Sequence, residues 1–515
     1  MREIRDSGKV IGLDRIAVMA ALNMANELLR SRNVGEALEG NAKLRLQAMR
    51  ERIQREAPVV ASHGQEQGEH PDPGVGQRKG EAVQMMPRPH RSPWLFVPSL
   101  YFAEGVPYIL VNTVSVILYK KLGVDNASIA LWTSLLYLPW VLKLLWGPLV
   151  DTRATKRAWI LGTQAAQAAC LAAVAAAIVA PGYFAWSLAA FTLAALVSAT
   201  HDIAADGFYL HALDERAQAY FVGVRTMFYR GAMIFGSGLL VSVAGRLEGG
   251  PRGVAWAWST VFAGAAVLYG GLWLYHRAVL PRPPTDVGVA AAGARADGSA
   301  GAGWLRIMAD WLRQPRAGVI VAFILLYRLG EALLLKLAAP FLLDGREKGG
   351  LGLTTEQVGF AYGTVGLSCL IVGGILGGWL IGRFGLRRML WPLALTLNVP
   401  HVAYLYLAWA QPGPAVAYPL VAVEQLGYGL GTTAFMVVLM RVSRGEHRTS
   451  HFAIATGLMA LGMMLPGMAS GAIQTAVGYR AFFLLVLVCG LPGLALLPWL
   501  PRLEGDAAGR TSGSA

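Results

Sequence analysis

Apolar blocks, each near twenty residues long and almost free of charge, dominate this chain from residue 94 to residue 500. No other feature constrains the fold as much. A soluble surface cannot hide that much apolar chain, whereas a helix needs about 20 such residues to cross the hydrocarbon of a bilayer. Barrel strands are short and alternating, so helices are the expected spanning element. Twelve spans are predicted, over 94–118, 129–150, 158–180, 184–210, 219–244, 254–276, 317–343, 357–381, 389–410, 415–441, 451–476 and 480–500. Only 15% of the 515 residues are charged, against roughly 25% in an ordinary soluble domain. Of these charges, 27 fall in residues 1–92 and 49 in the remaining 423. The sequence therefore reads as a polar front piece joined to a membrane body.

The loops set the expected orientation. From residue 87 on, the N-terminal side and the even loops carry 20 Lys and Arg, and the opposite side carries 7. Basic loops stay in the cytoplasm, so both termini are expected there, in the inner membrane of a bacterium. The net charge of +14 would suggest nucleic acid in a soluble chain. Here it reflects basic loops, and no nucleic-acid partner is expected. Cys170, Cys369 and Cys489 sit in apolar blocks without metal spacing and read as buried small residues. The first apolar run, 16–29, is interrupted by Asn23, Asn26 and Glu27 and is too polar for a signal core.

The front piece divides in two. Residues 1–56 show an amphipathic stretch, with Asp14 as a plausible N-cap, and then a highly charged helical stretch suited to a short coiled coil. Residues 57–92 are rich in Pro, Gly, Gln and His and read as a disordered linker. The run IRDSGKVIGLDRIAVMAALNMANELL, followed by the charged stretch, resembles the C-terminal half of the ZapA family of division-ring bundling proteins. The family's N-terminal head has no counterpart here. Two accounts stand: a fusion that tethers the membrane body to a division-ring protein, or a merged reading frame whose true start is Met85 or Met86. The second is the expectation, and peptides from residues 1–80 in mass spectra of the native protein would overturn it.

The loop between spans 6 and 7, residues 277–316, is the longest, and its Ala/Gly-rich run reads as a flexible linker. It splits the body into six-helix bundles over 93–276 and 317–501, with a disordered tail over 502–515. The halves repeat. GVDNASIA (123–130) matches GLTTEQVG (352–359) at an offset of 229, and Glu104 has its counterpart in Glu331 at an offset of 227. Such repeats imply two bundles packed around a central site. Gly147, Asp151, Arg153 and Arg157 after span 2 correspond to Gly378, Arg383, Gly385, Arg387 and Arg388 after span 8. The second set, G-x-L-x-x-R-x-G-x-R-R, resembles the signature loop of the major facilitator superfamily, which implies that fold. The first set lacks the downstream Gly, and Gly382 replaces the usual acid in the second.

Ten ionisable residues lie well inside the spans: Glu104, Asp202, Asp206, Glu331 and Glu424 against Lys143, Arg225, Arg230, Arg328 and Lys336. Each costs at least ~2.5 kcal/mol if it faces lipid, so they are expected to face inward and pair. Asp202 and Asp206 lie four apart on one helical face. Two carboxylates that close do not both ionise easily in a dry site, which makes them proton-carrier candidates. The plain alternative is pairing with Arg225 and Arg230. His201 could relay a proton to Asp202, but it reads better as a hydrogen-bonded packer, as does His401. Arg328 and Glu331 are spaced to pair along span 7, or Arg328 and Lys336 could receive a substrate anion. Tyr108, Tyr137 and Trp140 could stack a sugar or nucleobase, while Trp132 reads as an interfacial anchor.

The blocks FAEGVPY (102–108), LPWVLKLLWGPLVD (138–151) and SATHDIAADGFYLHAL (198–213) resemble the AmpG-type muropeptide permeases and the related acetyl-CoA transporters. The matching positions are Leu138, Pro139, Lys143, Trp146, Pro148 and Asp151, then Asp202, Ile203, Asp206 and Gly207. His201 replaces a usual Gln and Phe208 a usual Trp, both beside the carboxylates. The resemblance implies proton-driven import of anhydromuropeptides or cell-wall amino-sugar fragments. Proton coupling is expected at Asp202, Asp206, Glu104 and Glu331, and charge pairing or substrate contact at Lys143, Arg225, Arg230, Arg328 and Lys336. The alternatives are a siderophore, an acyl-CoA or another anionic metabolite on the same fold, or a division-site scaffold acting through residues 1–56. No metal motif, nucleophile elbow or phosphate loop is present, so neither an enzyme nor a cofactor is expected.

Overall fold

The computed structural model describes residues 92–143, 146–286, 308–443 and 448–501. The expected helical fragment at 1–56, almost all of the 57–92 linker, the middle of the 277–316 linker and the 502–515 tail lie outside the described residues, as does the side chain of Asp151.

Span 1 is Pro93–Lys121, and span 2 is Asn126–Leu142, resumed as Gly147–Arg153. Spans 3 to 6 are Lys156–Ile178, Tyr183–Ala212, Tyr220–Glu248 and Gly253–Val279. Spans 7 to 10 are Ala317–Leu343, Thr355–Phe384, Leu386–Ala410 and Pro414–Val442. The last helix, Arg448–Ala495, runs for 48 residues, about 70 Å and over twice the hydrocarbon thickness. It is two spans broken at Gly478, whose φ of 76° and ψ of 167° no helix accommodates. The described residues thus hold the twelve expected spans.

The helix starts are written locally. Asp125 caps span 2 by accepting the Ser128 N–H at 2.8 Å, a bond that holds its carboxyl below the usual carboxylate range. Thr155 and Asp214 accept the Ala158 and Ala217 N–H groups in the same way, and Thr354 forms a reciprocal capping box with Gln357. Leu, Val and Trp side chains such as Trp186, Val267, Leu274 and Trp409 stand exposed around the bundle. Such a surface is tolerated only where hydrocarbon covers it.

Within the first half, span 3 packs on spans 4 and 6, and span 1 packs on spans 4 and 5. In the second half, span 10 packs on spans 8 and 9, and span 7 packs on the long last helix. The halves meet mainly toward the face that carries the odd-numbered loops. There span 5 lies on span 8, span 2 on span 11, and span 1 on span 7. Glycines permit the approach. A Cβ on Gly363 would stand 2.1 Å from the Ser237 carbonyl oxygen, one on Gly471 2.0 Å from that of Asn126, and one on Gly245 2.3 Å from the Glu356 nitrogen. Spans 1, 5 and 8 each open into a wide π-helical turn in this region, at Leu110–Val114, Phe235–Leu240 and Gly359–Gly366.

A polar latch caps the same face. Asp344 binds Lys120 at 2.7 Å and accepts the Tyr479 hydroxyl at 2.6 Å. Asn126 donates to Gln474 at 2.7 Å and accepts from Lys120 at 2.7 Å. A second set joins Glu248 to Lys121 and Thr355, and Arg246 to Glu356. Hydrogen bonds to charged groups are worth about 1.5–3 kcal/mol, so Asp344→Asn is expected to shift the population toward states open at this face by about that much. Distances between spin labels at the ends of spans 1 and 7 would report it, and an unchanged distribution counts against the latch.

Candidate functional site

Two buried polar centres and one cavity occupy the middle of the bundle. The first centre lies between spans 1, 2, 4 and 5. Asp202 pairs with Lys143, and Asp206 accepts the Arg225 guanidinium at 2.9 Å and the Tyr101 hydroxyl at 3.2 Å. Arg225 is further held over the Tyr101 ring at 4.4 Å and the Tyr209 ring at 5.0 Å. Glu104 completes the centre. It is 3% exposed, and oxygens of Glu104, Asp202 and Asp206 lie within 4.8 Å of one another. No donor reaches either Glu104 oxygen among the described residues. Three carboxylates thus face two cations.

His201 is turned away from this centre's ion pairs. Its Nε2 meets Gln164 Nε2 at 3.1 Å, Gln164 Oε1 meets His276 Nδ1 at 3.0 Å, and His276 Nε2 meets Ser99 Oγ at 2.9 Å. If the amide donates to His201 Nε2, its oxygen accepts from His276 Nδ1. An amide does not pass protons as an imidazole does, so the chain fixes spans 1, 3, 4 and 6 against each other.

The cavity measures about 240 Å³ and lies between the halves. Arg230, Arg328 and Lys336 line it together with Tyr108 and Tyr137. Lys336 donates to the Thr133 carbonyl at 3.1 Å, and Arg328 donates to the Tyr428 hydroxyl at 2.6 Å. Arg328 sits where span 7 breaks, between Ala317–Leu326 and Leu329–Leu343. Tyr108 meets Trp140 edge-on at 5.3 Å and Tyr137 at 6.4 Å, and Tyr137 stacks on Trp140 at 6.2 Å. Trp132 is exposed, as an interfacial anchor would be.

The second centre lies between spans 7, 9 and 10. Glu331 Oε2 is 3.1 Å from His401 Nε2, and Glu424 accepts from Gln425 at 2.9 Å. The spacing of Arg328 and Glu331 suggests an ion pair along the helix; in the structure Arg328 donates to Tyr428 and Glu331 meets His401. Of the ten intramembrane charges, Lys143–Asp202 and Arg225–Asp206 pair in the first centre, Arg230, Arg328 and Lys336 line the cavity, and Glu104, Glu331 and Glu424 lie in the two centres.

The loop motifs act as anchors. Arg157 donates to the carbonyls of Leu280 and Arg277, and Asp286 accepts the N–H groups of Lys156 and Arg157. Gly385 has a φ of 83°, the left-handed region that suits Gly between spans 8 and 9, and Gly378 is buried. Gly147 has open space around it, and Arg153, Arg383, Arg387 and Arg388 are exposed. The sequence reading overlooked Gln164, His276 and the Asn126–Asp344–Tyr479 latch. Gln164 and Gln167 in an otherwise Ala-rich span were the available signal.

Comparison with known proteins agrees with this architecture. The chain is 26% identical over 404 residues to the anhydromuropeptide permease of Escherichia coli K12, covering 77% of each chain. It superposes on a bacterial homologue of the human lysosomal transporter Spinster in its inward-facing, unoccupied form, with a TM-score of 0.59 and 14% identity over 80% of this chain and 96% of that one. It also superposes on a D-xylose–proton symporter with a TM-score of 0.61 and 12% identity, over 80% and 98%. The family model for cell division protein ZapA matches residues 1–53. The membrane body therefore has the major facilitator fold, twelve helices in two bundles, and the chain is similar to secondary transporters of the bacterial inner membrane, not to enzymes.

Proposed function

We propose that this secondary transporter imports anhydromuropeptides or cell-wall amino-sugar fragments with protons, by alternating access between the bundles at 93–276 and 317–501. The observation that carries the coupling is the first centre, where three carboxylates, Glu104, Asp202 and Asp206, face two cations, Lys143 and Arg225, among the described residues. A buried carboxylate crowded by other carboxylates is costly unless it takes up a proton, so Glu104 holds the exchangeable proton and the two ion pairs hold its neighbours. Glu331 belongs to the coupling set through the second centre. The cavity offers Arg230, Arg328 and Lys336 to an anionic group, and Tyr108 and Tyr137 to a sugar face. The named activity of the E. coli relative supports this substrate class.

The excess of Lys and Arg on the even loops supports a cytoplasmic position for the face that carries them and for both termini. The latched face is then the outer one, and the structure is closed toward the periplasm. Cysteines introduced at Gly123 and Gly413 should react with an impermeant maleimide in intact cells, and one at Thr285 should not. The reverse pattern would invert the assignment.

Proteoliposome uptake of labelled anhydro-amino-sugars tests the substrate, with siderophores, acyl-CoA and other anions as competitors. Accumulation driven by an inward proton gradient and blocked by unlabelled anhydromuropeptide is expected. Uptake indifferent to that gradient, or blocked only by an anionic metabolite, would favour the second reading. The three bases on the cavity wall and the changes at His201 and Phe208 keep that reading specific. A third role rests on the match at residues 1–53 alone: a septal location lost on deleting 1–80 would mark a division-site scaffold.

A further inference from the structure

We propose that Glu331, His401 and Glu424 form a second proton-binding site, in the second half, one layer behind the cavity wall; this rests on the proton-coupled reading above. The three side chains come from spans 7, 9 and 10, and each is 1% exposed. Glu331 Oε2 meets His401 Nε2 at 3.1 Å, and one ligand-type atom from each of the three lies within 4.8 Å of the others. Glu424 accepts one amide N–H, from Gln425 at 2.9 Å. Among the described residues, Glu424 Oε1 and His401 Nδ1 have no hydrogen-bond partner. The buried Tyr404 hydroxyl, one helical turn from His401, also has none.

The groups around the trio come from spans 7, 8, 9, 10 and 12. Span 7 contributes Arg328, whose guanidinium donates to Tyr428 and lies 5.1 Å over that ring. Span 8 contributes Tyr362, span 9 Tyr404, and span 10 Gln425 and Tyr428; the two glutamates act electrostatically on Tyr362 and Tyr404. Span 12 brings the Val486 carbonyl and Gly490 against Gly330, beside the His401 ring. One imidazole can neutralise one carboxylate. With both glutamates ionised, the trio carries a net negative charge in a site closed to water. One further proton, on Glu424, makes it neutral and gives Oε1 a hydrogen to donate.

Position connects this trio to the transport cycle. Glu331 follows Glu104 by 227 residues, and Glu424 follows Asp202 by 222. Each half thus buries acids between its first and fourth helices. The first half balances them with Lys143 and Arg225, and the second with one imidazole. Arg328, Tyr362, Gln425 and Tyr428 form the cavity wall in front of the trio. A substrate anion that draws Arg328 off Tyr428 changes the field at Glu331, three residues on. The site therefore releases or takes its proton as the cavity fills, and the cycle moves two protons in place of one.

Infrared difference spectroscopy on the full chain in lipid, stepped in pH without substrate, reads the trio directly. Glu424→Gln should remove a component of the protonated-carboxyl band that Glu104→Gln leaves, and Glu331→Gln and His401→Gln should each move that component along the pH axis. An unchanged band in both glutamate variants overturns the site. Because no substrate is present, this outcome is separate from any failure of the cell-wall reading. In proteoliposomes carrying a transported solute, Glu424→Gln should lower net gradient-driven uptake about tenfold or more while exchange at equal pH falls far less. Equal losses in both would overturn the proposal. So would stoichiometric binding of Zn²⁺ that Glu424→Gln abolishes, since the trio would then be a metal site.

Discussion

Glu104→Gln is expected to abolish net proton-driven accumulation while leaving the folded protein as stable as before. Glu104 sits among carboxylates with no donor on either oxygen, so its neutral form is the one the site tolerates, and Gln reproduces that form in shape and charge. Locked in this state, the carrier cannot release a proton, but it can still cycle loaded. Gradient-driven uptake should fall by about tenfold or more with solute exchange preserved. Asp206→Asn should behave differently. Asp206 is the carboxylate partner of Arg225, and removing one member of a buried pair costs about 3–5 kcal/mol because the other charge is stranded. The Tyr101 and Tyr209 rings under Arg225 recover only part of that. A clear fall in melting temperature is therefore expected for Asp206→Asn, partly restored by Arg225→Gln in the same chain. If Glu104→Gln destabilises as much as Asp206→Asn, Glu104 is an ionised structural partner and the coupling assignment fails.

Gly363→Val should block closure of the latched face. A Cβ there would stand 2.1 Å from the Ser237 carbonyl oxygen and 2.5 Å from the Gly238 nitrogen, which are backbone atoms of the facing span. Backbone cannot rotate away as a long side chain can, so spans 5 and 8 must separate. Alternating access requires spans 5 and 8 to part when this face opens, so the substitution should penalise the closed state of the face and spare the open one. Transport should fall below about a tenth of the parent rate, with the variant still folded and cysteines at Gly123 and Gly413 more reactive from that side. Gly147→Ala makes the control, because its Cβ would meet open space. A Gly363→Val variant that transports normally would show that the close approach is incidental.

Much of the fold is legible in the sequence because it is local. The length of an apolar run decides whether a helix spans, and a Thr or Asp before it decides where the helix starts. Gly478 illustrates the limit. The spans at 451–476 and 480–500 are separable by length, but their junction is a single Gly with a positive φ, not a loop. The offset of 227 between Glu104 and Glu331 is equally plain on the page. The correspondence of Asp202 with Glu424 is not, because the surrounding blocks share no motif.

The candidate site was legible as an inventory and not as a set of partners. Composition and spacing identify ten charges inside the apolar blocks, since hydrocarbon tolerates so few. They do not say that Lys143 reaches Asp202, 59 residues away, or that Glu331 turns to His401, 70 residues on, and leaves the cavity side to Arg328. Those choices depend on which helix face meets which neighbour. That is fixed by packing between spans far apart in the chain, by glycines that let two backbones touch, and by breaks such as the one at Arg328. The sequence by itself determined that this chain lives in the membrane, how many times it crosses, and which charges are costly. The tertiary structure decided which of those charges cancel and which are left over, because a buried charge is settled only by the groups that three-dimensional packing places within a few ångströms of it.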